Sequence, residues 1–321
     1  MATRDQPFEH LALLYEGEGE FAARTLPFVR EGLDAGEAVL VATDAAKGER
    51  LSADLAADLA GDLAGGEVEF VDVTELGRNP ACLLPLWTDF VGDHGRPVRG
   101  VGEPAWPGRS PAELAECHHH EALINLAFED RAGFRLLCPY DTAALPPEVA
   151  DWARATHPSL LERGGVVTSP GYLPPGAGAG PFSGRLEPAP ADAAVREFGA
   201  CSDLRELRSF VSGVAREAGF DEQRSEDLAF ATNELAANSL HHGGGGGTLA
   251  IWRDRGALVC EVRDAGWIEE PLTGRRRPAA TAVRGRGLWL VNRICDLVQI
   301  RSSAAGTVVR VRIDPDTAAT A

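Results

Sequence analysis

The chain is 321 residues long, which suits two domains of ordinary size, and its hydrophobic share of 44% and charged share of 25% are those of a soluble globular protein. Its formal net charge of −17 argues against a nucleic-acid partner, because a phosphate backbone binds clustered lysine and arginine. No apolar run approaches the roughly 20 residues that cross a bilayer, and the start MATRDQPFEH lacks the apolar centre of a signal peptide, so we expect a cytoplasmic protein without a membrane partner.

Short apolar runs alternate with helical patterns over the first half of the chain. The runs that predict buried strands are Leu11–Tyr15, Ala38–Thr43, Val68–Val73, Val98–Glu103 and Phe134–Tyr140. Segments between them carry apolar residues at spacings of three and four, which is typical of amphipathic helices. The alternation predicts a doubly wound α/β sheet over residues 1–168.

The opening strand, turn and helix follow the order of a nucleotide-binding βαβ unit. The turn YEGEGEFA lacks the G-K-[ST] signature that grips phosphate and Mg²⁺, and Glu16, Glu18 and Glu20 would repel phosphate. We therefore do not expect this half to hydrolyse ATP. Open α/β sheets bind ligands at the C-terminal ends of strands, although polar residues there also act as caps and packing residues. The candidates are His10 before the first strand, Glu103, Trp106, Tyr140 and Asp141.

Histidine and cysteine give no strong metal signal. The segment CHHHEA, Cys117–Ala122, places adjacent histidines on a helix, where their side chains point in different directions, and His118 with Glu121 alone would be a poor site. We expect this segment to be partly exposed surface. The six cysteines are scattered without a C-x-x-C pair, so neither a disulfide framework nor a zinc site is indicated, and most should be small core residues.

Residues 169–192 are dominated by proline and glycine, which predicts an extended or flexible linker. After it, residues 193–316 predict a second domain. Helices are expected over 202–218 and 221–241, with a short third helix from Gly287 to about Cys295. Strands are expected over Thr248–Arg253 and Leu258–Asp264 and in the segments LVQIRSS and TVVRVRI. Three helices on one face of a mostly antiparallel sheet form an α/β sandwich.

Glu234 and Asn238 lie four residues apart on the second of these helices, so both side chains leave the same face. Leu228, Leu235 and Leu240 can face the core. An amide oxygen can bind Mg²⁺ together with nucleotide phosphates, while a neighbouring carboxylate can orient or deprotonate an attacking hydroxyl. An E-x-x-x-N pair alone is more often a solvated helix face.

Two glycine-containing segments follow. Asp264 ends a strand and could accept a hydrogen bond from an exocyclic amine, while Gly266 would let a flat base approach the backbone. Gly285 and Gly287 precede an apolar helix, whose N–H groups and positive dipole end attract phosphate. Arg284 and Arg286 add positive charge there. Each segment alone is more often a turn or a helix cap.

The order and spacing of these segments resemble the GHKL ATPase/kinase family, in its branch of anti-sigma-factor serine/threonine kinases. The resemblance covers about Ser202–Ile313. It is carried by NELAANSLHHG for the N box, DAG for the first glycine box, GRGLWLV for the second, and Gly306–Thr307 at the adenine pocket.

The resemblance implies a Mg-ATP site. Asn238 would coordinate Mg²⁺ and Glu234 would activate the attacking group. Asp264 would hold the adenine amine beside Gly266, and the Thr307 hydroxyl would reach the base. The triphosphate would be lined, under a mobile lid, by the second glycine box, with Arg284, Gly285, Arg286, Gly287 and Leu288 as cofactor-binding residues. The glycine run 243–247 would end the N-box helix; the pattern does not explain its length.

Two features depart from the family pattern. Trp267 follows Gly266 where the family usually continues to a second glycine, so the rim of the base pocket should differ. The lid carries Arg275–Arg277, which could clamp phosphate or could simply be solvated. A histidine-kinase function is disfavoured because the helix from Ser202 to Ala218 contains no phosphoacceptor histidine.

The first half resembles the MEDS sensory domain, which is related to RecA-like ATPases that lack their phosphate loop. The likeness covers roughly Phe8–Leu160 and is carried by the opening βαβ pattern and by EPAW, HEALINLAF and LLCPYD. It implies sensing of a signal or small-molecule ligand.

Together the two resemblances predict a regulator whose ATP-binding domain phosphorylates an anti-anti-sigma (antagonist) protein or sequesters a sigma factor; a homodimer is possible. The alternative is a nucleotide-gated partner-binding module without phosphotransfer. A third possibility is an enzyme that acts through the first domain, but no nucleophile paired with a general base is visible in its sequence.

Overall fold

The computed structural model describes residues 6–58, 68–175, 184–199, 204–279 and 285–315. The chain divides into two compact units, Met1–Gly178 and Ala179–Ala321. Within the described residues, no helix combines the length and apolar character that a membrane span requires.

The first unit is built on a seven-stranded sheet. Its strands are β1 (Glu9–Tyr15), β2 (Ala38–Thr43), β3 (Val68–Asp72), β4 (Val98–Gly102), β5 (Phe134–Asp141), β6 (Ser159–Glu162) and β7 (Gly165–Thr168). Its helices are α1 (Gly17–Asp34), α2 (Ala45–Asp58), α3 (Val73–Leu76), α4 (Leu83–Asp93), α5 (Pro111–Ala127) and α6 (Pro147–Thr156), with a 3-10 turn at Pro80–Cys82. The sheet order is β3-β2-β4-β5-β1-β6-β7, with only the terminal pair β6 and β7 antiparallel.

The burial of a strand's residues helps to explain whether that strand could be predicted from the sequence. Every residue of β2 and β4 is buried, as expected for parallel strands covered on both faces, and such strands appear as continuous apolar runs. All five predicted strands of this unit are present, but β3 has no buried residue, so the expectation that it is a buried strand was wrong. The hairpin of β6 and β7 was not predicted, because β7 is exposed along its whole length and has no apolar pattern.

A buried arginine ties α1 to the sheet. The guanidinium of Arg99 in β4 is almost completely buried and lies 2.5 Å from Glu37 Oε2 and 2.6 Å from Glu31 Oε2. It also donates to Phe28 O at 2.9 Å. Because Glu37 is buried as well, this arginine neutralises a carboxylate that water cannot reach.

Replacing Arg99 by methionine is therefore expected to lower the free energy of unfolding by about 3–5 kcal/mol, since Glu37 would be left as an uncompensated buried charge. Urea denaturation measures the loss. Arg50→Met is the matched control, because Arg50 pairs at 3.4 Å with Glu18 and both side chains are exposed. The control should cost at most about 1 kcal/mol, and equal losses for the two variants would contradict the role assigned to Arg99.

The described residues of the second unit form a five-stranded sheet and three helices. Its strands are β8 (Ala194–Gly199), β9 (Gly246–Asp254), β10 (Ala257–Asp264), β11 (Leu297–Ser303) and β12 (Gly306–Ile313), and its helices are α7 (Leu204–Glu217), α8 (Glu222–His242) and α9 (Gly287–Ile294). The order is β11-β12-β10-β9-β8 and all four neighbouring pairs are antiparallel. The strand β8 was not predicted, because four of its six residues are exposed.

The apolar stripes of these helices meet the alternating face of the sheet. In β12, every second residue is buried, as in a strand with one covered face. Leu228 and Leu235 of α8 are buried in the same core, and Leu240 packs against it. The carboxylate of Asp221 caps α8 by accepting a hydrogen bond from Arg224 N at 2.7 Å. The predicted α/β class, with one mostly parallel and one antiparallel sheet, is confirmed.

Candidate functional site

A pocket in the second unit lies between α8, α9 and the ends of β10 and β12. Five of the residues predicted from the sequence line it: Asn238, Asp264, Gly266, Leu288 and Thr307. They come from four separate segments of the chain, so the fold brings together what the sequence holds far apart.

The carboxylate of Asp264 is fixed from two sides. Ser239 Oγ donates to Asp264 Oδ2 at 2.6 Å, and the backbone N–H of Gly266 donates to Asp264 Oδ1 at 2.8 Å. Each carboxylate oxygen accepts one of these bonds and keeps a further lone pair. Asp264 therefore presents an oriented acceptor to the pocket, and Ser239 is a positioning residue that the sequence did not indicate.

Thr307 stands opposite Asp264 in the β10–β12 ladder. Its hydroxyl donates to Gly266 O at 2.8 Å and lies 2.7 Å from Ser302 Oγ, which in turn accepts from Ile268 N at 2.8 Å. Because the Thr307 proton is used within this series of hydrogen bonds, the hydroxyl can meet a ligand only as an acceptor. These hydrogen bonds hold the loop after β10 against the sheet.

Two glycines allow this loop to pass close to the end of α8. A Cβ atom on Gly266 would lie 2.6 Å from His242 O and 2.8 Å from Gly243 Cα. A Cβ atom on Gly243 would lie 2.5 Å from Asp264 Cγ. Neither position can hold a side chain without moving Asp264 or the helix end.

The rest of the glycine run also has structural causes. Gly244 and Gly245 have φ of +87° and +88°, a conformation that side chains rarely adopt. A Cβ atom would lie 2.6 Å from Phe198 O at Gly246 and 2.3 Å from Arg263 O at Gly247. The run therefore ends α8, reverses the chain and starts β9 between two close neighbours, which explains its length.

Glu234 and Asn238 leave the same face of α8 and are both half-buried. Among the described residues, no hydrogen-bond partner is seen for the Asn238 amide, so its oxygen is available at the pocket wall. Glu234 does not line the pocket. Its carboxylate lies one turn away against the start of α9, where a Cβ atom on Gly287 would be 2.6 Å from Glu234 Oε2.

The second glycine box forms the entrance to α9. Gly285 and Arg286 are exposed, Gly287 begins the helix, and Leu288 is buried. The first N–H groups of a helix have no partner within it, and α9 has no side-chain cap. This end can therefore accept an anionic group. Arg284 lies outside the described residues.

The departures from the family pattern are visible at the rim. Trp267 is 61% exposed and stands where a second glycine is usual. The three arginines of the lid segment do not behave alike, because Arg275 is buried whereas Arg276 and Arg277 are exposed. The interpretation that these arginines are simply solvated therefore does not hold for Arg275.

In the first unit, an ion pair occupies the C-terminal edge of the parallel strands. Lys47 Nζ lies 2.5 Å from Glu103 Oε1 and 3.2 Å from Asp44 Oδ2, and Tyr15 Oη donates to Glu103 at 2.8 Å. Burial raises the pKa of Glu103, although Lys47 opposes the shift. Lys47 is thus already paired with carboxylates. Asp141 caps a turn by accepting from Ala143 N at 3.0 Å.

Two expectations for this unit were wrong. His10 does not precede β1 but lies within it, and it is buried. The CHHHEA segment is less exposed than expected, since His120 and Glu121 are buried and His118 and His119 are half-buried. Helix α5 turns this side toward the sheet.

Glu121 meets three residues from other elements: His10, Cys138 and His157. Neither Cys138 nor His157 was a site prediction, because their elements are far apart in sequence.

Comparison with known families agrees with these two units. Residues 9–158 match the family described as MEDS, the MEthanogen/methylotroph, DcmR Sensory domain. Residues 200–313 match the histidine kinase-like ATPase domain. The first half of the chain thus matches the MEDS domain and the second half matches a histidine kinase-like ATPase domain, which confirms the resemblances at this level. Membership of an ATPase family implies that the second domain binds ATP.

Two solved structures show distant likeness. The RsbU and RsbW domains of Rv1364c from Mycobacterium tuberculosis align over 40% of this chain and 33% of theirs, with 19% identity and a TM-score of 0.31. The histidine kinase AdeS of Acinetobacter baumannii aligns over 39% and 68%, with 10% identity and a TM-score of 0.24. The aligned region thus spans a third of the Rv1364c chain. A search of curated proteins gave no match.

Proposed function

We propose that this chain is a signalling regulator in which a RecA-like sensory domain controls a GHKL-type serine/threonine protein kinase of the anti-sigma class. The domains would span residues 1–168 and 193–316, with residues 169–192 as the linker. The observation that carries the proposal is the pocket around Asp264, where an oriented carboxylate, a flat glycine-lined wall and an unpartnered asparagine amide converge.

The pocket suits an adenine nucleotide. The lone pairs that Asp264 retains would accept the exocyclic amine of adenine, and Gly266 leaves space for the ring. Thr307 would accept a hydrogen bond or act through water. The start of α9, with Gly285, Arg286 and Gly287, would hold phosphate oxygens on the first backbone N–H groups of the helix.

The Asn238 oxygen fits one position of a magnesium shell, because Mg²⁺ takes oxygen ligands and keeps several waters. When bound, Mg-ATP supplies the phosphoryl group and neutralises its charge. Glu234 would accept the proton of a serine or threonine hydroxyl on the protein substrate, and its place beside α9 would orient it. The proposed partners are an anti-anti-sigma protein as phosphorylation substrate and a sigma factor as the sequestered protein.

Two observations favour the alternative, a nucleotide-gated binding module. Glu234 stands outside the pocket lining and Trp267 is exposed at the rim, so nucleotide binding can alter a partner surface without chemistry.

A single experiment separates the two functions. The full chain is titrated calorimetrically with Mg-ATP and is then incubated with γ-labelled ATP and candidate antagonist proteins. Label on a serine or threonine of the antagonist supports the kinase. Nucleotide-dependent partner binding without label supports the module, and absence of ATP binding rejects both.

Gly243→Ala is expected to weaken Mg-ATP binding by about tenfold or more, because the new methyl group would overlap Asp264 and displace its carboxylate. Alanine is allowed at φ −98°, so backbone strain is not the cause. Calorimetric titration measures the affinity. Gly213→Ala in α7 is the control, because no atom lies within 4 Å of its Cβ position, and its affinity should be unchanged. Equal affinities for the two variants would contradict the packing argument.

A further inference from the structure

Four potential metal ligands converge inside the first unit. His10 of β1, Glu121 of α5, Cys138 of β5 and His157, which follows α6, are all buried, and their ligand atoms lie within 4.8 Å of one another. None of them takes part in the proposed ATP site. Residues from four elements thus converge on one point in the interior.

The hydrogen bonds around the cluster fix the tautomers of both histidines. The Asn125 amide N–H groups donate to Thr156 O at 2.7 Å and Glu121 O at 3.2 Å, so Asn125 turns its oxygen toward His10 Nδ1 at 3.0 Å. His10 Nδ1 must therefore donate. His157 Nδ1 lies 2.8 Å from Ala153 O and must donate as well. In each neutral ring, Nε2 then carries a lone pair.

Both lone pairs point at a carboxylate. Glu121 Oε2 lies 2.9 Å from His10 Nε2 and 3.3 Å from His157 Nε2, and the second contact is not a hydrogen bond. Tyr140 Oη donates to the other oxygen of Glu121 at 2.8 Å.

The cluster is short of positive charge. Cys138 can donate one proton, and its Sγ lies 3.4 Å from His10 Nε2 and 3.6 Å from Glu121 Oε2. That single weak donor faces three acceptors in a site without water access, where unsatisfied polar atoms are costly. A cation at the centre would satisfy all of them.

We infer that His10, Glu121, Cys138 and His157 bind a divalent ion of the zinc type. Zinc accepts imidazole, carboxylate and thiolate ligands in a tetrahedron with bonds of about 2.0–2.3 Å, which places neighbouring ligand atoms about 3.3–3.7 Å apart. Four of the six separations between the ligand atoms are 2.9–3.6 Å, close to these values, and all six are within 4.8 Å.

The surroundings match those of a metal centre. Ligating histidines usually donate their other N–H to a carbonyl or carboxylate, as His10 does to Asn125 and His157 does to Ala153. Binding of the ion would displace the thiol proton of Cys138 into solvent, so that the sulfur binds as a thiolate. Zinc with one thiolate and one carboxylate is electrically neutral, which removes the cost of buried charge.

The site has no open position, because four protein ligands complete the tetrahedron. A closed set of this kind is structural rather than catalytic. The ion would join β1, α5, β5 and the end of α6, and β1 and β5 are neighbours in the sheet. Metal occupancy would then set how firmly the sensory domain is held together.

Cobalt substitution tests the site in the full chain. Metal-free protein is titrated with Co²⁺, whose thiolate complexes give a near-ultraviolet charge-transfer band, and Zn²⁺ is then added in competition. We expect one equivalent of Co²⁺, a thiolate band that zinc abolishes, and a higher melting temperature with zinc. Folded wild-type protein that shows no such band would overturn the inference.

Variants identify the ligand. Cys138→Ser should lose the thiolate band and bind zinc at least tenfold more weakly, since serine is a poor ligand for zinc. Cys117→Ser is the matched control, because Cys117 is also buried in this unit but donates to Pro104 O at 3.0 Å outside the cluster. The control should keep the band. A band retained by Cys138→Ser, or lost equally in the control, would contradict the assignment; if Cys138→Ser fails to fold, the wild-type titration decides.

Discussion

Glu234→Gln is expected to lower the rate of phosphotransfer by about 10²–10⁴-fold while leaving the affinity for Mg-ATP within about twofold of the original. Glutamine keeps the size of the side chain, so its contact with Gly287 at the start of α9 survives. It cannot accept a proton, which is the role proposed for the carboxylate. Single-turnover transfer of label from γ-labelled ATP to the antagonist protein measures the rate, and calorimetry measures the affinity.

The matched control is Glu226→Gln, which removes an exposed carboxylate two turns earlier on the same helix. It should leave both quantities unchanged. A Glu234→Gln protein that transfers label at the original rate would remove the proposed base. If wild-type protein binds nucleotide but transfers no label, the nucleotide-gated module is the better description.

Asp264→Asn is expected to weaken Mg-ATP binding by about 10- to 100-fold, because hydrogen bonds to a charged acceptor are worth about 1.5–3 kcal/mol. The local structure should survive the change. Asparagine can still accept from Gly266 N with its oxygen, while its amide group faces Ser239, whose hydroxyl can turn to Leu235 O at 3.2 Å. The amide then meets the adenine amine as a second donor.

Asp254→Asn is the control for Asp264→Asn. Asp254 also ends a strand of the same sheet, but its carboxylate pairs at 3.0 Å with Arg312 away from the pocket. Its affinity for Mg-ATP should match that of the original protein. Equal binding by both variants would show that the nucleotide does not use Asp264, and thermal melting would reveal any loss by unfolding.

Much of the fold could be predicted because the spacing of apolar residues along a short segment indicates whether it forms a strand or a helix. Five strands of the first unit and the helices of the second follow from apolar runs and spacing, which depend on neighbouring residues alone, although β3 has no buried residue. The strand β8 and the hairpin of β6 and β7 could not be predicted, because their exposed residues carry no such spacing. Hydrogen bonding to a neighbouring strand, rather than their own composition, makes them strands.

The candidate site was predictable in part for the same reason. Glu234 and Asn238 share a helix face, so their relation is a matter of spacing. The role of Ser239 in holding Asp264 depends on a contact across 25 residues that only the folded chain creates. The cluster of His10, Cys138 and His157 around Glu121 is still less visible, since each residue comes from a different element.

The alignment of β10 with β12 has a consequence for how the pocket can fail. Asp264 and Thr307 face each other in one register only, and sliding either strand by a single residue would turn its side chains to the opposite surface of the sheet. The buried Val309 and Val311 hold that register through the core. Substitutions at these valines, far from any bound nucleotide, would therefore erase ligand recognition by strand slippage while every pocket residue remained chemically intact.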